Sequence, residues 1–210
     1  PVTIFWIIGF TNTVNLIDGL DGLAAGVSVI ASISMFFIAV SINQYLPAML
    51  LVAMSGAALG FLQYNFNPAK IFMGDTGSML LGYTMAVVSV LGLVKTAATV
   101  ALVVPIIALG VPILDTLFAI VRRKMSGVSI FQPDKGHLHH RLLALGMTQK
   151  QAVVSMYLVS GFFGLVAVFV ANVSYTVGIA TIIVVLAVII YSAKRIGVLR
   201  GSGTGDGAKK

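Results

Sequence analysis

The chain has no cysteine and no glutamate. Without cysteine, disulfide and thiolate chemistry are excluded. Charge is scarce too: 9% of residues, against about a quarter in soluble domains. Hydrophobic residues make up 59% and the mean hydropathy is +1.05, so an ordinary water-soluble globule is excluded and an integral membrane protein is expected. No internal repeat is visible. The opening Pro1-Val-Thr-Ile-Phe-Trp-Ile-Ile-Gly-Phe10 has neither an initiating Met nor a basic stretch of the kind that starts a signal peptide. It reads as the second half of a membrane helix, so the chain is expected to begin inside a longer protein.

What is present is long apolar runs broken by short polar segments. A bilayer needs roughly 17–25 apolar residues per helix. Six full spans are predicted, at about 22–42, 46–64, 78–94, 97–121, 151–172 and 175–192, with the first ten residues part of a seventh. The fold class expected is therefore all-α, a polytopic transmembrane bundle. Residues 1–200 form one domain whose N-terminal part is missing, and the Gly-rich 201–210 a disordered tail. Pro105 and Pro112 should kink the fourth full span. The 22 glycines suit close helix packing in lipid.

Tight turns at 43–46, 95–96 and 172–174 alternate with longer polar segments at 11–21, 65–77 and 122–150, so the two sets lie on opposite faces. Basic residues choose between the faces. Lys70, Arg122, Arg123, Lys124, Lys135, Arg141, Lys150, Lys194, Arg195, Arg200, Lys209 and Lys210 fall on the polar-segment face, and only Lys95 on the other. The positive-inside rule makes the polar-segment face cytoplasmic.

All six acids are aspartates, and Asp18, Asp21, Asp75 and Asp134 lie in those polar segments. Asp18 and Asp21, each followed by glycine, would share a face if their segment turned helically, and would suit metal or nucleotide binding. The plainer reading is an Asp-Gly turn with an N-cap for the helix that follows. Gly74-Asp-Thr-Gly-Ser78 precedes an apolar run, where a helix N-terminus attracts anions and Asp75 could hold Mg²⁺ through oxygen. Simple capping by Asp75 or Ser78 is compatible with that. Gly136-His-Leu-His-His-Arg-Leu142 holds every histidine in a basic setting that suits a diphosphate. Structural zinc is not expected there, because no Cys or Glu stands nearby. Arg122, Arg123 and Lys124 read as contacts to anionic lipid. Asp115, about 10 Å inside its helix end, should pair with the basic loop.

Together and in this order, Asn15-Leu-Ile-Asp-Gly-Leu-Asp-Gly-Leu-Ala24, Asn65-Phe-Asn-Pro-Ala-Lys-Ile-Phe-Met-Gly-Asp-Thr-Gly-Ser78, Pro112-Ile-Leu-Asp-Thr116 and Gly136-His-Leu-His-His-Arg141 resemble the polyprenyl-phosphate N-acetylhexosamine-1-phosphate transferases, glycosyltransferase family 4. The resemblance runs from about residue 10 to 145. The His-Leu-His-His-Arg form looks more like the branch that uses UDP-GlcNAc than the branch that uses UDP-MurNAc-pentapeptide. The family's adjacent Asp-Asp pair belongs to an earlier cytoplasmic loop, and no such pair occurs in this chain.

The resemblance implies that undecaprenyl phosphate attacks the β-phosphate of a UDP-sugar, releasing UMP, at the cytoplasmic face of a bacterial inner membrane. It implies Mg²⁺, with Mn²⁺ as the other candidate, held by Asp75. Asp75, Asp18 and Asp21 would be catalytic. Asn15, Asp18, Gly19, Leu20 and Asp21 would line the nucleotide site, with Phe72 stacking on uracil, and Asn65 would also bind substrate. His137, His139, His140 and Arg141 would face the diphosphate or sugar. Membrane lipids are expected partners, nucleic acid is not, and a homodimer is one assembly considered. The other readings weighed are an ion or solute transporter using Asp18, Asp21 and Asp115, and a catalytically silent lipid-binding relative. A transport site near mid-bilayer is disfavoured because the polar residues cluster on one face.

Overall fold

The computed structural model describes residues 1–93, 106–125 and 138–196. Among these residues there are helices and no strands. The helices are α1 (Val2–Ile17), α2 (Leu23–Ser41), α3 (Tyr45–Asn65), α4 (Gly74–Leu93), α5 (Gly110–Met125), α6 (Leu138–Ala144), α7 (Gln149–Asn172) and α8 (Tyr175–Ile196). Three of them, α2, α3 and α7, are long and apolar enough to cross a membrane. Helix α1, α5 as far as Val121 and α8 as far as Ile189 are shorter apolar helices.

Most boundaries fall near the hydropathy breaks, and two move for local reasons. Helix α1 continues to Ile17, through much of the segment read as a polar loop from residue 11. Its Asn12 amide donates back to the Ile8 carbonyl at 2.8 Å, so that polar residue sits within the helix. Helix α4 begins at Gly74 rather than at 78, which brings Asp75 into its first turn. Pro112 acts near the expected place. Helical residues 106–108 are followed by a break at Leu109, and α5 starts at Gly110. Pro112 has no N–H for the Ala108 carbonyl, so the helix lapses one turn before the proline. Pro105 lies outside the described residues, as do Lys95 and the tail.

Helix α2 is the centre of the bundle: 72% of its most apolar stretch is buried, against 33% in α3 and 39% in α7. Its neighbours run in fixed directions. Trp6 Nε1 donates to Ser89 Oγ at 2.7 Å and Ser78 Oγ donates to Asn15 Oδ1 at 2.6 Å, so α1 and α4 are antiparallel. Gly26 lies against Tyr157 and Gly164 against Ser34, so α2 and α7 are parallel. Segments 18–22, 66–73 and the α6–α7 elbow therefore gather at one end of the bundle. The turns at 42–44 and 173–174 sit at the other.

Burying apolar surface between helices gains little when lipid is already apolar, so close backbone approach and interhelical hydrogen bonds carry the packing. Gly82 shows the approach. A Cβ there would lie 2.8 Å from the Phe10 carbonyl oxygen and the Thr11 Cα of α1, both backbone atoms that cannot swing aside. Gly56, by contrast, has nothing within 4 Å of its would-be Cβ. Gly82→Ala should therefore destabilise the folded protein by about 1–3 kcal/mol through overpacking, whereas Gly56→Ala should be neutral or slightly stabilising. Thermal unfolding of the two variants in detergent checks this. Equal melting temperatures would show that α1 and α4 do not depend on the contact at Gly82.

Candidate functional site

Three short connections form the site, and each is shaped by side chains from its neighbours. The first is the turn from α1 to α2. Asp18 caps the C-terminus of α1, its N–H donating to the Asn15 carbonyl at 3.1 Å. Leu20 packs into the apolar cluster beneath, beside Phe66, Leu138 and Leu142. Gly22 turns the chain with φ of +80°, a value glycine adopts without steric cost. Gly22, not an aspartate, is the N-cap of α2, and no side chain caps that helix. The N-cap reading of Asp21 is thus corrected. The two aspartates do not share a helical face either, because the chain between them is a turn.

The second connection joins α3 to α4. Asn65 is buried, and its amide works at both ends: Oδ1 accepts from Gly22 N at 3.0 Å, and Nδ2 donates to the Ile71 carbonyl at 2.9 Å. The Lys70 N–H returns to the Tyr64 carbonyl at 2.7 Å, folding the segment back on the end of α3. Asp21 Oδ2 accepts from Asn67 Nδ2 at 2.9 Å and from Ala69 N at 3.1 Å. Phe72 follows with 78% of its surface exposed, and Asp75 is exposed in the first turn of α4.

The third is α6 and its elbow to α7. Asp115 of α5 is buried, and its Oδ1 accepts from Leu138 N at 2.8 Å. That bond anchors the start of α6, within the 122–150 segment that Asp115 was expected to pair with. Leu138 and Leu142 of α6 pack inward against the cluster that holds Leu20 and Phe66. His140 is exposed, and Arg141 is half-buried and engaged in an interaction. His137, Asp134 and the side chain of His139 lie outside the described residues. A capping box starts α7: Thr148 Oγ1 accepts from Gln151 N at 3.3 Å, and Gln151 Oε1 accepts from Thr148 N at 2.9 Å.

The structure thus sorts the candidate residues. Asp18 and Asp75 come near enough to sense each other. Asn15 faces α4 through Ser78, Gly19 and Phe72 are exposed, and α6 carries His140 and Arg141 to the same end. The Asn65 side chain, Leu20 and the Oδ2 atom of Asp21 are engaged in holding the fold. Sequence reasoning missed Asn67, Gln149 and Tyr157, which tie the segments together. Asn67 sat inside a quoted motif; Gln149 and Tyr157 carry no local signal, since their partners lie 82 and 135 residues away.

The Asp18 carboxyl is pushed above the ordinary carboxylate range, first by burial and then by the negative charge of Asp75. Two carboxylates in that relation favour a proton or a cation between them. Among the described residues no group of three or more His, Cys, Asp or Glu side chains converges on a point. That arrangement is poor for an all-protein metal cage. It fits a hard divalent ion bound through one or two carboxylates, with the remaining oxygens from water and phosphate.

The raised pKa has a sign for stability. A carboxyl whose folded pKa lies above its unfolded value contributes stability below the unfolded pKa, and that contribution is lost as pH rises through the folded pKa. At neutral pH without divalent ions, ionised Asp18 is therefore a net cost. Asp18→Asn should melt above the parent protein at pH 7.5 in chelator, and the gap should close as pH falls toward the ordinary carboxylate value of 3.8. A variant that melts below the parent at pH 7.5 would show that Asp18 stabilises by a partner other than a cation.

Residues 1–93 match glycosyl transferase family 4. Over 168 residues the chain is 50% identical to a probable undecaprenyl-phosphate N-acetylglucosaminyl 1-phosphate transferase of Bacillus subtilis, covering 80% of this chain and 47% of the relative. Over 176 residues it is 41% identical to a decaprenyl-phosphate N-acetylglucosaminephosphotransferase of Mycobacterium tuberculosis, covering 75% of this chain and 44% of the relative. A phospho-N-acetylmuramoyl-pentapeptide-transferase of Geobacillus thermodenitrificans is 38% identical over 170 residues, 80% of this chain and 50% of the relative. The chain spans about half the length of the curated relatives it matches. The match to glycosyl transferase family 4 falls on the first 93 residues, which carry the turn at Asp18, the segment with Phe72 and the start of α4 at Asp75.

Proposed function

We propose that the protein containing this chain transfers a sugar-1-phosphate, GlcNAc-1-phosphate, from a UDP-sugar to undecaprenyl phosphate. The reaction takes place at the cytoplasmic face of a bacterial inner membrane and begins the assembly of a cell-envelope polysaccharide. The observation that carries this reading is that the connections bearing Asp18, an exposed Phe72 and Asp75 gather at one end of an apolar helix bundle, where the charge of Asp75 acts on the Asp18 carboxyl. Identities of 50% and 41% to relatives named for N-acetylglucosamine, against 38% to the pentapeptide transferase, support the choice of sugar.

In the proposed reaction an oxygen of the lipid phosphate attacks the β-phosphorus of the UDP-sugar. A new P–O bond forms, the bond from that phosphorus to the oxygen bridging to the α-phosphate breaks, and UMP leaves. Charge builds on the phosphoryl oxygens. Mg²⁺ held by Asp75 with Asp18 would neutralise part of it. Phe72 offers a flat apolar face to uracil, and Arg141 and His140 offer donors to the diphosphate or sugar. The site end of the bundle meets water and headgroups, so a soluble nucleotide and a lipid phosphate can both reach it. The same reading includes six full spans plus part of a seventh, with the connections at 18–22, 66–73 and 122–150 on the cytoplasmic side.

Two experiments test this. In full-length protein, Asp75→Asn should reduce transfer of radiolabelled GlcNAc-1-phosphate to lipid by orders of magnitude. Mg²⁺ should raise the melting temperature of the parent but not of this variant. Near-normal turnover by Asp75→Asn, or an equal Mg²⁺ response, would sink the assignment of the metal.

Orientation is tested separately. A cysteine at Lys70 should react with an impermeant thiol reagent only from the inside, and one at Ser174 only from the outside. Labelling of the Lys70 position from outside intact cells would reverse the bundle and remove the nucleotide from its site.

A further inference from the structure

We infer that Asn67 and Gln149 form a strut that positions the segment carrying Phe72 and Asp75, and so serve as positioning residues for the reaction proposed above, on which this inference rests. The Asn67 amide nitrogen carries two hydrogens. One goes to Asp21 Oδ2 at 2.9 Å and the other to Gln149 Oε1 at 2.8 Å. The same Asp21 oxygen takes the Ala69 N–H at 3.1 Å. One side chain thus joins the α1–α2 turn, the α3–α4 segment and the first residue of α7.

The need for such a strut follows from the path of the chain. Residues 66–73 form no helix, and their position is set by hydrogen bonds to neighbours. Asn65 and Tyr64 secure the segment to the end of α3 through Ile71 and Lys70. Asn67 and Ala69 secure its outer bend to Asp21. Two of these bonds end on a carboxylate, which makes them stronger than neutral ones. Gln149 is suited to the far end. Its backbone is set by the capping box of Thr148 and Gln151, so its side chain is not spent on the cap.

An exposed ring such as Phe72 makes a productive nucleotide contact only if the chain beneath it is already in place, since ordering it during binding costs affinity. The strut therefore acts mainly on binding of the UDP-sugar and less on the chemical step. It also ties the elbow after α6 to the Asp75 segment, so the histidine-bearing and aspartate-bearing sides of the site keep one spacing.

The test uses the purified full-length protein with UDP-GlcNAc and undecaprenyl phosphate. Asn67→Asp sets a carboxylate against Asp21 and should raise KM for UDP-GlcNAc about tenfold, with a smaller change in kcat and none in KM for the lipid. Gln149→Leu removes the acceptor and should raise the same KM, whereas Gln149→Glu keeps an accepting oxygen and should stay near the parent value. Because the two residues act as one unit, Asn67→Ala with Gln149→Leu should be no worse than Asn67→Ala alone. In a Phe72→Ala background the Asn67 change should add little. Hydrogen exchange gives a readout that needs no turnover: Asn67→Asp should speed exchange in residues 66–73 while α3 and α4 keep their protection. Unchanged exchange overturns the strut. Faster exchange with an unchanged KM overturns its role in positioning. Absence of transfer by the parent protein sinks the proposed function, and the exchange result then decides whether the strut holds the segment.

Discussion

Gly22 is held from both sides, and the site end of the molecule depends on that grip. Its N–H donates to the buried Asn65 of α3, and its carbonyl accepts the Tyr157 hydroxyl of α7 at 2.5 Å. Three helices thus meet on one residue. The N–H of a residue at the head of a helix has no intrahelical acceptor and at the end of an apolar bundle must be satisfied locally, whereas the Gly22 carbonyl already accepts from Gly26 N at 2.9 Å and takes the tyrosine hydroxyl as a second donor. Tyr157 comes this close only because Gly26, one turn further along α2, has no side chain: a Cβ there would fall 2.1 Å from the ring. A slip at Gly22 would carry Asp21 and Asp18 with it, and then the segment that Asp21 holds.

The rest of the polar chemistry follows from the same constraint. Lipid makes unpaired polar groups expensive, and several polar residues at this end of the bundle serve two purposes. Asn65 closes the end of α3 and also fixes Gly22. Ser78 reaches across to Asn15 and so sets the register of α1 against α4 exactly where Asp75 begins its helix. Asp115, buried in α5, supplies the acceptor that starts α6. In each case a residue near the reacting region also determines how two helices meet. The accuracy of the site and the stability of the bundle are therefore hard to separate by removing side chains, and conservative exchanges tell more than truncation to alanine.

How much could be read from the sequence divides along physical lines. Helix content and the approximate apolar runs were legible, because hydropathy is local and the runs at 23–41, 45–65 and 149–172 are long. The segregation of polar segments to one end was legible from the alternation of short and long connections. The extension of α1 to Ile17 was not, because Thr11, Asn12 and Asn15 look like loop residues, and neither the bond of Asn12 back to Ile8 within the helix nor the bond of Asn15 to Ser78 of α4 is visible in the sequence. At the candidate site Phe72 and Asp75 are exposed and Asp18 is half-buried. Asp21, Leu20 and Asn65 carry motif signals equal to theirs yet are engaged within the fold, Asp21 with Asn67 and Ala69, Asn65 with Gly22 and Ile71, and Leu20 with the apolar cluster. A sequence motif marks which residues a site needs; it does not separate those that would touch a ligand from those that hold the others in place.

One feature of the arrangement runs against stability. Burial and the charge of the exposed Asp75 both disfavour ionised Asp18, yet the fold keeps Asp18 half-buried within reach of that charge. Turning Asp18 out would be cheap, since it lies in a turn at the open end of the bundle. It is kept in place by Leu20, whose side chain is sunk into the cluster with Phe66, and by Asp21, whose bonds to Asn67 and Ala69 define the same turn. The two inward-facing residues of the motif thus hold the one that is electrostatically unfavourable. Strain of this kind persists where the surrounding structure over-determines it, and a positive charge placed beside the two carboxylates would relieve it.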